Sequence, residues 1–217
     1  MRAPWAIVCD FDGTAVTEDL GDHVALRFAG EENYRRAEDA YRAGAYPFKD
    51  LLARIFAPIT ASPAEIAEFA RGRAVLRPGF ERFLSVCHAE ARPFLIVSSG
   101  LDAYIEPVLD LLPAPLRAHV EVRANRARIG PGGLEVTFHG PDCGFCGFCK
   151  GHVVRELQAA GHKVAVLGDG SGDRHAAEAA DAVFARKGSS LARWCASRPL
   201  RHQVFETFDE VIERFPQ

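Results

Sequence analysis

Two aspartates separated by one residue, Asp10 and Asp12, follow the apolar run Trp5-Ala6-Ile7-Val8-Cys9 and lie in the stretch Asp10-Phe11-Asp12-Gly13-Thr14. In a continuing strand the two side chains would share a face, but Gly13 signals a turn in which backbone amides approach an anion. Carboxylates held this close repel, and a divalent cation or a shared proton relieves the repulsion. Oxygen ligands with no histidine nearby suit Mg²⁺. A second acidic pair, Asp169 and Asp173, stands in Gly168-Asp169-Gly170-Ser171-Gly172-Asp173. A cluster of this kind around a cation draws in a phosphate dianion, which then needs positive charge and hydrogen-bond donors on its far side. Lys150, heading a helix, supplies the charge. Ser98, backed by Ser99 and Gly100, supplies hydroxyl and amide donors.

Taken singly these residues mean little, because acidic pairs, Ser-Ser-Gly turns and surface lysines are common. Their weight comes from the elements that must position them. Trp5 to Cys9, Phe94 to Val97 and Lys163 to Leu167 read as short buried strands, and they end at Asp10, Ser98 and Asp169. Further strands are expected at Ala182 to Ala185 and Val204-Phe205, with a small hairpin around Gly130-Pro131-Gly132-Gly133. Helical patterns fill the intervals from Pro78 to Arg92, Ala103 to Leu112, Gly151 to Ala160, around His175 to Ala180, near Leu191, and from Phe208 to Phe215. Alternation of this kind predicts an α/β fold, a parallel sheet with helices on both faces, whose ligands bind beyond the carboxyl ends of the strands. Residues 17–75 differ in kind. They are helical in pattern, with Phe48, Leu51, Leu52, Ile55 and Phe56 on one face, and Ser62-Pro63-Ala64-Glu65 reads as a helix N-cap. The expected division is a core of residues 1–16 and 76–217 carrying a helical insert over 17–75.

Composition narrows the partners. The 217 residues are 48% hydrophobic and 25% charged, with a net charge of −3 and no basic stripe, so nucleic acid is not an expected partner. No run approaches the ~18 to 20 apolar residues of a membrane span. Met1 to Trp5 meets Asp10 too soon to leave room for a signal-peptide core, and a cytoplasmic location is expected. The sequence leaves open whether the chain is a monomer or a homodimer.

Asp10-Phe11-Asp12-Gly13-Thr14, Ser98, Lys150 and Gly168 to Asp173, in that order, resemble the four motifs of the haloacid dehalogenase-like superfamily. The helical insert directly after the first motif resembles its C1 cap, as in the phosphoserine-phosphatase-like branch. The resemblance implies a Rossmann-like core with the cap closing over the cleft, and a phosphatase working through an aspartyl-phosphate. It assigns Asp10 as nucleophile and Asp12 as general acid/base, with Ser98, Ser99 and Lys150 on the phosphate. Mg²⁺ would be held by Asp10, the Asp12 backbone carbonyl and Asp169, with Asp173 in support. A non-catalytic binding module of the same fold would be expected to lack one of these groups, and all are present. A dinucleotide enzyme is disfavoured, since no Gly-x-Gly-x-x-Gly stretch follows the first strand.

The substrate is less legible. Glu18 could face the cleft and meet a cationic group, or be solvated. Arg27, Arg35, Arg36, Arg42, Lys49 and Arg54 could include a grip for an anionic substrate, although most read as helix surface, and their number suits a small polar phosphate. Cys143-Gly144-Phe145-Cys146-Gly147-Phe148-Cys149, abutting Lys150, resembles the 2-hydroxy-3-keto-5-methylthiopentenyl-1-phosphate phosphatases of methionine salvage. It is less close to phosphoethanolamine/phosphocholine phosphatases, and ordinary phosphoserine phosphatases stand as another alternative. The three cysteines could hold structural Zn²⁺ with His139, Asp142 or His152 as a fourth ligand, could pack as reduced thiols, or could act as a redox switch. Cys9, Cys87 and Cys195 read as buried small hydrophobes.

Overall fold

The computed structural model describes residues 4–138, 140–141 and 143–216. Its centre is a seven-stranded sheet in the order β4-β3-β2-β1-β5-β6-β7. The strands are β1 (Trp5–Cys9), β2 (Phe94–Leu101), β3 (Val120–Gly130), β4 (Gly133–Thr137), β5 (Lys163–Gly168), β6 (Ala182–Arg186) and β7 (Gln203–Phe205). All neighbours run parallel except β3 and β4. Successive β1 side chains alternate between faces: Ile7 and Cys9 join one apolar cluster, Val8 the other. Both faces are therefore covered, which is why the parallel strands read as continuous apolar runs.

The insert consists of α1 (Leu20–Phe28), α2 (Glu31–Arg42), α3 (Phe48–Phe56) and α4 (Pro63–Arg73). The expected cap at Ser62 is present: its hydroxyl accepts from the Glu65 amide and the Glu65 carboxylate takes the Ser62 amide at 2.8 Å. The chain leaves the sheet and returns to it side by side, through a bridge between Val16 and Leu76. Beyond it come α5 (Phe80–Ala89), α6 (Asp102–Leu109), α7 (Ala114–His119), α8 (Lys150–Ala159), α9 (Arg174–Ala179), α10 (Ser190–Ala196) and α11 (Phe208–Arg214). No helix among the described residues is long and apolar enough to cross a membrane.

Two details differ from the sequence reading. β2 runs on through Ser98 to Leu101 rather than ending at Val97. The short α7 was not foreseen, its six residues being too few for a helical period to stand out. The expected hairpin is present and continuous with the sheet. The first part of β3 pairs in parallel with β2, and its later part, Arg126 to Gly130, pairs antiparallel with β4.

Candidate active site

β1 delivers Asp10 to the carboxyl edge of the sheet, where its amide still donates to Leu167 O of β5 at 2.9 Å. The chain then turns through Gly13, whose φ of 68° is in the left-handed region. A Cβ at Gly13 would lie 2.6 Å from Asp169 Oδ2, so glycine is required there both for conformation and for space. Lys150, the first residue of α8, donates its ammonium to Asp10 Oδ1 at 2.5 Å and to Asp173 Oδ1 at 2.6 Å. The other Asp173 oxygen accepts the amides of Asp169 and Gly170, both at 2.9 Å. Thr14 Oγ1 donates to Asp169 Oδ1 at 3.4 Å. Three sequence-distant segments, residues 10–14, Lys150 and residues 169–173, thus meet at one point.

Asp12 is turned elsewhere. Its Oδ1 accepts the Leu20 amide at 2.9 Å at the start of α1, and its Oδ2 accepts the Tyr104 hydroxyl at 2.8 Å. Ser98 is buried and its hydroxyl accepts the Gly100 amide, while the Ser99 hydroxyl donates to Cys146 O at 3.4 Å. Two supporting residues gave no sequence signal. Tyr104 is an ordinary core aromatic by type, 1% exposed. Arg77 donates to Gly13 O at 2.6 Å and to Thr14 O at 2.8 Å, bracing the Asp10 loop from the returning chain.

The charges do not balance. Burial opposes the charge on Lys150, but Asp10 and Asp173 outweigh it and hold the ammonium above its usual range. Burial and Asp173 push the Asp10 carboxyl up, against the pull of Lys150. Burial, with Asp173 second, raises Asp169 to about 6. Asp12 is raised to about 7 by burial and by the Asp10 charge, against its hydrogen bonds from Tyr104, Leu20 and Gly21. Oxygens of Asp10, Asp169 and Asp173 lie within 4.8 Å of one another. Three carboxylates sharing one ammonium, all offering hard oxygen donors, fit a small divalent cation such as Mg²⁺.

Above this floor is a cleft of about 290 Å³. Phe48, Leu51, Leu52, Ile55 and Phe56 of α3 form one wall; Asp19, Asp22, Tyr34 and Glu38 form another. Ser98, Ser99 and all four aspartates of the motifs line it. Glu18 does not: it pairs with Arg73 at 2.8 Å and with His23 at 2.9 Å, and its neighbour Asp19 takes the cleft position. Nor do Arg27, Arg35, Arg36, Arg42, Lys49 or Arg54, so the expected cationic grip is absent from the described lining. The arginines are drawn off by pairing along their own helices, as Arg35 with Glu31 and Arg42 with Glu38. Cys143, Cys146 and Cys149 do gather, but their fourth companion is His175; His152 is exposed on α8, and His139 and Asp142 lie outside the described residues.

Comparison with known proteins agrees with this geometry. The haloacid dehalogenase-like hydrolase family model matches residues 7–178. The chain is 31% identical to a 2-hydroxy-3-keto-5-methylthiopentenyl-1-phosphate phosphatase of Brevibacillus brevis, over 100% of this chain and 97% of that protein. It is 32% identical to the bifunctional enzyme MtnB/MtnX of Bacillus licheniformis, spanning 97% of this chain but only 49% of that longer protein. A solved phosphoserine phosphatase, captured as a phospho-aspartyl intermediate analogue, superposes with a TM-score of 0.75 over the whole of both chains at 19% identity. The match spans the four motifs from the Asp10 strand to the helix after Asp173, and the chain belongs to the haloacid dehalogenase-like hydrolase family.

Proposed function

We propose that this protein is a Mg²⁺-dependent phosphatase that hydrolyses a small phosphate monoester through a phosphoryl group carried on Asp10. The observation that carries the reading is the buried bridge of Lys150 to Asp10 and Asp173, beside an Asp12 carboxyl that is held apart from it. Asp10 presents an oxygen for in-line attack on phosphorus. Asp12, raised to about 7 by burial and the Asp10 charge, gives its proton to the departing alcohol oxygen and then takes one from the water that cleaves the aspartyl-phosphate. Lys150, Ser98 and Ser99 hold the transferring oxygens. Mg²⁺, held by Asp10, Asp169, the Asp12 carbonyl and, in support, Asp173, would neutralise charge on the phosphoryl group. Residues 17–75 act as the cap, crossing to the core at the Val16–Leu76 bridge.

For the alcohol half, the best-supported substrate is 2-hydroxy-3-keto-5-methylthiopentenyl-1-phosphate. Relatives at about 30% identity carry that name, and the apolar α3 wall suits a thioether tail. A second reading is favoured by Asp22, Tyr34 and Glu38, which would suit a cationic alcohol such as choline or ethanolamine. The test is kcat/KM for the methylthiopentenyl phosphate, phosphocholine, phosphoethanolamine and phosphoserine, with Mg²⁺ and after chelation. The reading expects Mg²⁺-dependent turnover, highest on the thioether substrate, and a D10N variant lowered by at least about 10⁴-fold. Turnover surviving in D10N would overturn the mechanism, and a preference for phosphocholine would favour the second substrate.

A further inference from the structure

Cys143-Gly144-Phe145-Cys146-Gly147-Phe148-Cys149 repeats a three-residue unit, and its backbone repeats with it. Gly144 and Gly147 have φ of 78° and 73°, values that side-chain-bearing residues seldom adopt. Each unit therefore turns the same way and brings the next sulfur round to the same side. The Cys146 amide donates to Cys143 Sγ at 3.2 Å. His175 enters from α9, with Nδ1 3.5 Å from Cys146 Sγ and 3.7 Å from Cys149 Sγ. All four ligand atoms lie within 4.8 Å of one another.

These separations decide the chemistry. Zn–S bonds of ~2.3 Å and a Zn–N bond of ~2.0 to 2.1 Å at tetrahedral angles place sulfur and nitrogen roughly 3.6 Å apart. Three thiols and an imidazole converging at that spacing, from a loop and a helix 26 residues apart at their nearest, form the ligand set of a closed structural site. We infer that Cys143, Cys146, Cys149 and His175 bind Zn²⁺, and that this ion fixes the position of Lys150. The three thiols lose their protons to solvent as the metal binds, and His175 coordinates as the neutral ring through Nδ1.

The placement gives the ion its use. Cys149 is the residue before Lys150, and His175 is two residues after Asp173. One ion joins the two segments of the chain that carry the Lys150–Asp173 pair. The same loop touches the insert, where Phe145 O accepts the Lys49 amide at 2.9 Å and the Phe145 ring stacks near Phe48. It touches the end of β2 through Ser99. Metal at this point thus stiffens the contact of three parts of the cleft.

The experiment is metal analysis of the full chain, purified under reducing conditions from zinc-supplemented medium, followed by titration of the stripped, reduced protein with Zn²⁺ and with Co²⁺ as a spectroscopic probe. Expected are one zinc per chain and, with cobalt, the intense visible bands and thiolate charge transfer of a tetrahedral sulfur-rich site. His175 is exposed, so His175→Ala should fold, as checked by circular dichroism. It should weaken zinc by more than the ~10 to 100-fold that loss of an outer partner costs and alter the cobalt spectrum. Cys143→Ser, also at an exposed position, should remove the charge-transfer intensity of one thiolate. Zinc-free protein that gives no tetrahedral cobalt spectrum would overturn the inference. So would a disulfide between these cysteines in anaerobically purified protein, or an unchanged affinity in His175→Ala. The readout is independent of whether the protein hydrolyses any phosphate.

Discussion

At the floor of the cleft Asp10, Asp173 and Lys150 are at most 8% exposed, and each is fixed by hydrogen bonds shorter than 3 Å. Along the α3 wall, by contrast, Phe48, Leu51, Leu52, Ile55 and Phe56 offer only apolar surface, with nothing directional among those side chains. The floor comes from strand ends of one sheet and the helix behind them, and its parts cannot move independently. The wall comes from one face of a nine-residue helix in the insert. On the proposed function the two regions divide the work: the floor would set which bond is broken, and the wall what the phosphate is attached to. A floor of paired charges tolerates almost no change, whereas a wall that acts by burial tolerates graded change.

That contrast can be broken in order of size. Lys150→Met should lower kcat by about 10²- to 10³-fold, the scale of removing one preorganised charge donor. It also leaves Asp10 and Asp173 buried without their cation, at a stability cost of about 3 to 5 kcal/mol by chemical denaturation. An unchanged midpoint would show that the floor is not an electrostatic unit. Phe48→Ala should raise KM for a thioether-tailed phosphate by about tenfold. It should leave kcat on a tail-less phosphate unchanged, and a loss on both would merge wall and floor into one unit. Ser62→Ala, at the N-cap of α4 and remote from both, should cost about 1 kcal/mol without changing kcat/KM. The smallest effect is expected for Tyr104→Phe. Asp12 must be protonated to assist the leaving group, so turnover of an alkyl phosphate should fall as pH rises through about 7. Removing the Tyr104 hydroxyl removes a hydrogen bond that favours the Asp12 carboxylate, so the falling limb should move to higher pH. A limb that moves down would reverse the role given to that bond.

The floor was legible in the sequence because its residue types are unusual where they stand. Asp10, Ser98 and Asp169 follow apolar runs, and a carboxylate at the end of a buried strand has few uses other than chemistry. The alternation of strands and helices in a largely parallel sheet followed from the same runs, whereas the order of the strands is seen only in the structure. The wall was not legible. An apolar face at helical spacing, as at Leu51, Leu52 and Ile55, reads the same whether it covers a core or a cleft. The basic residues of the insert, read mostly as helix surface, stay out of the described cleft lining, since a charged residue on a short helix is readily satisfied by a neighbour four residues away. Glu18 failed by one position, because the chain turns into α1 there and exchanges which of Glu18 and Asp19 faces inward. His175 was missed as the companion of the cysteines because it lies 26 residues beyond Cys149 in the chain, past α8 and β5, and only folding brings it back to them.

One feature of the sheet sets a dimension. β3 runs past the end of its pairing with β2, folds back as β4, and the Leu134 amide then donates to Ala57 O at 3.1 Å, just beyond the last turn of α3. The helix that forms the apolar wall is therefore tied at its end to a two-stranded arm of the core sheet. On the proposed function the length of that arm would act as a gauge of how far the wall stands from the phosphate end. A shorter or longer hairpin on the same sheet would admit a shorter or longer alcohol without a change in any residue of the floor.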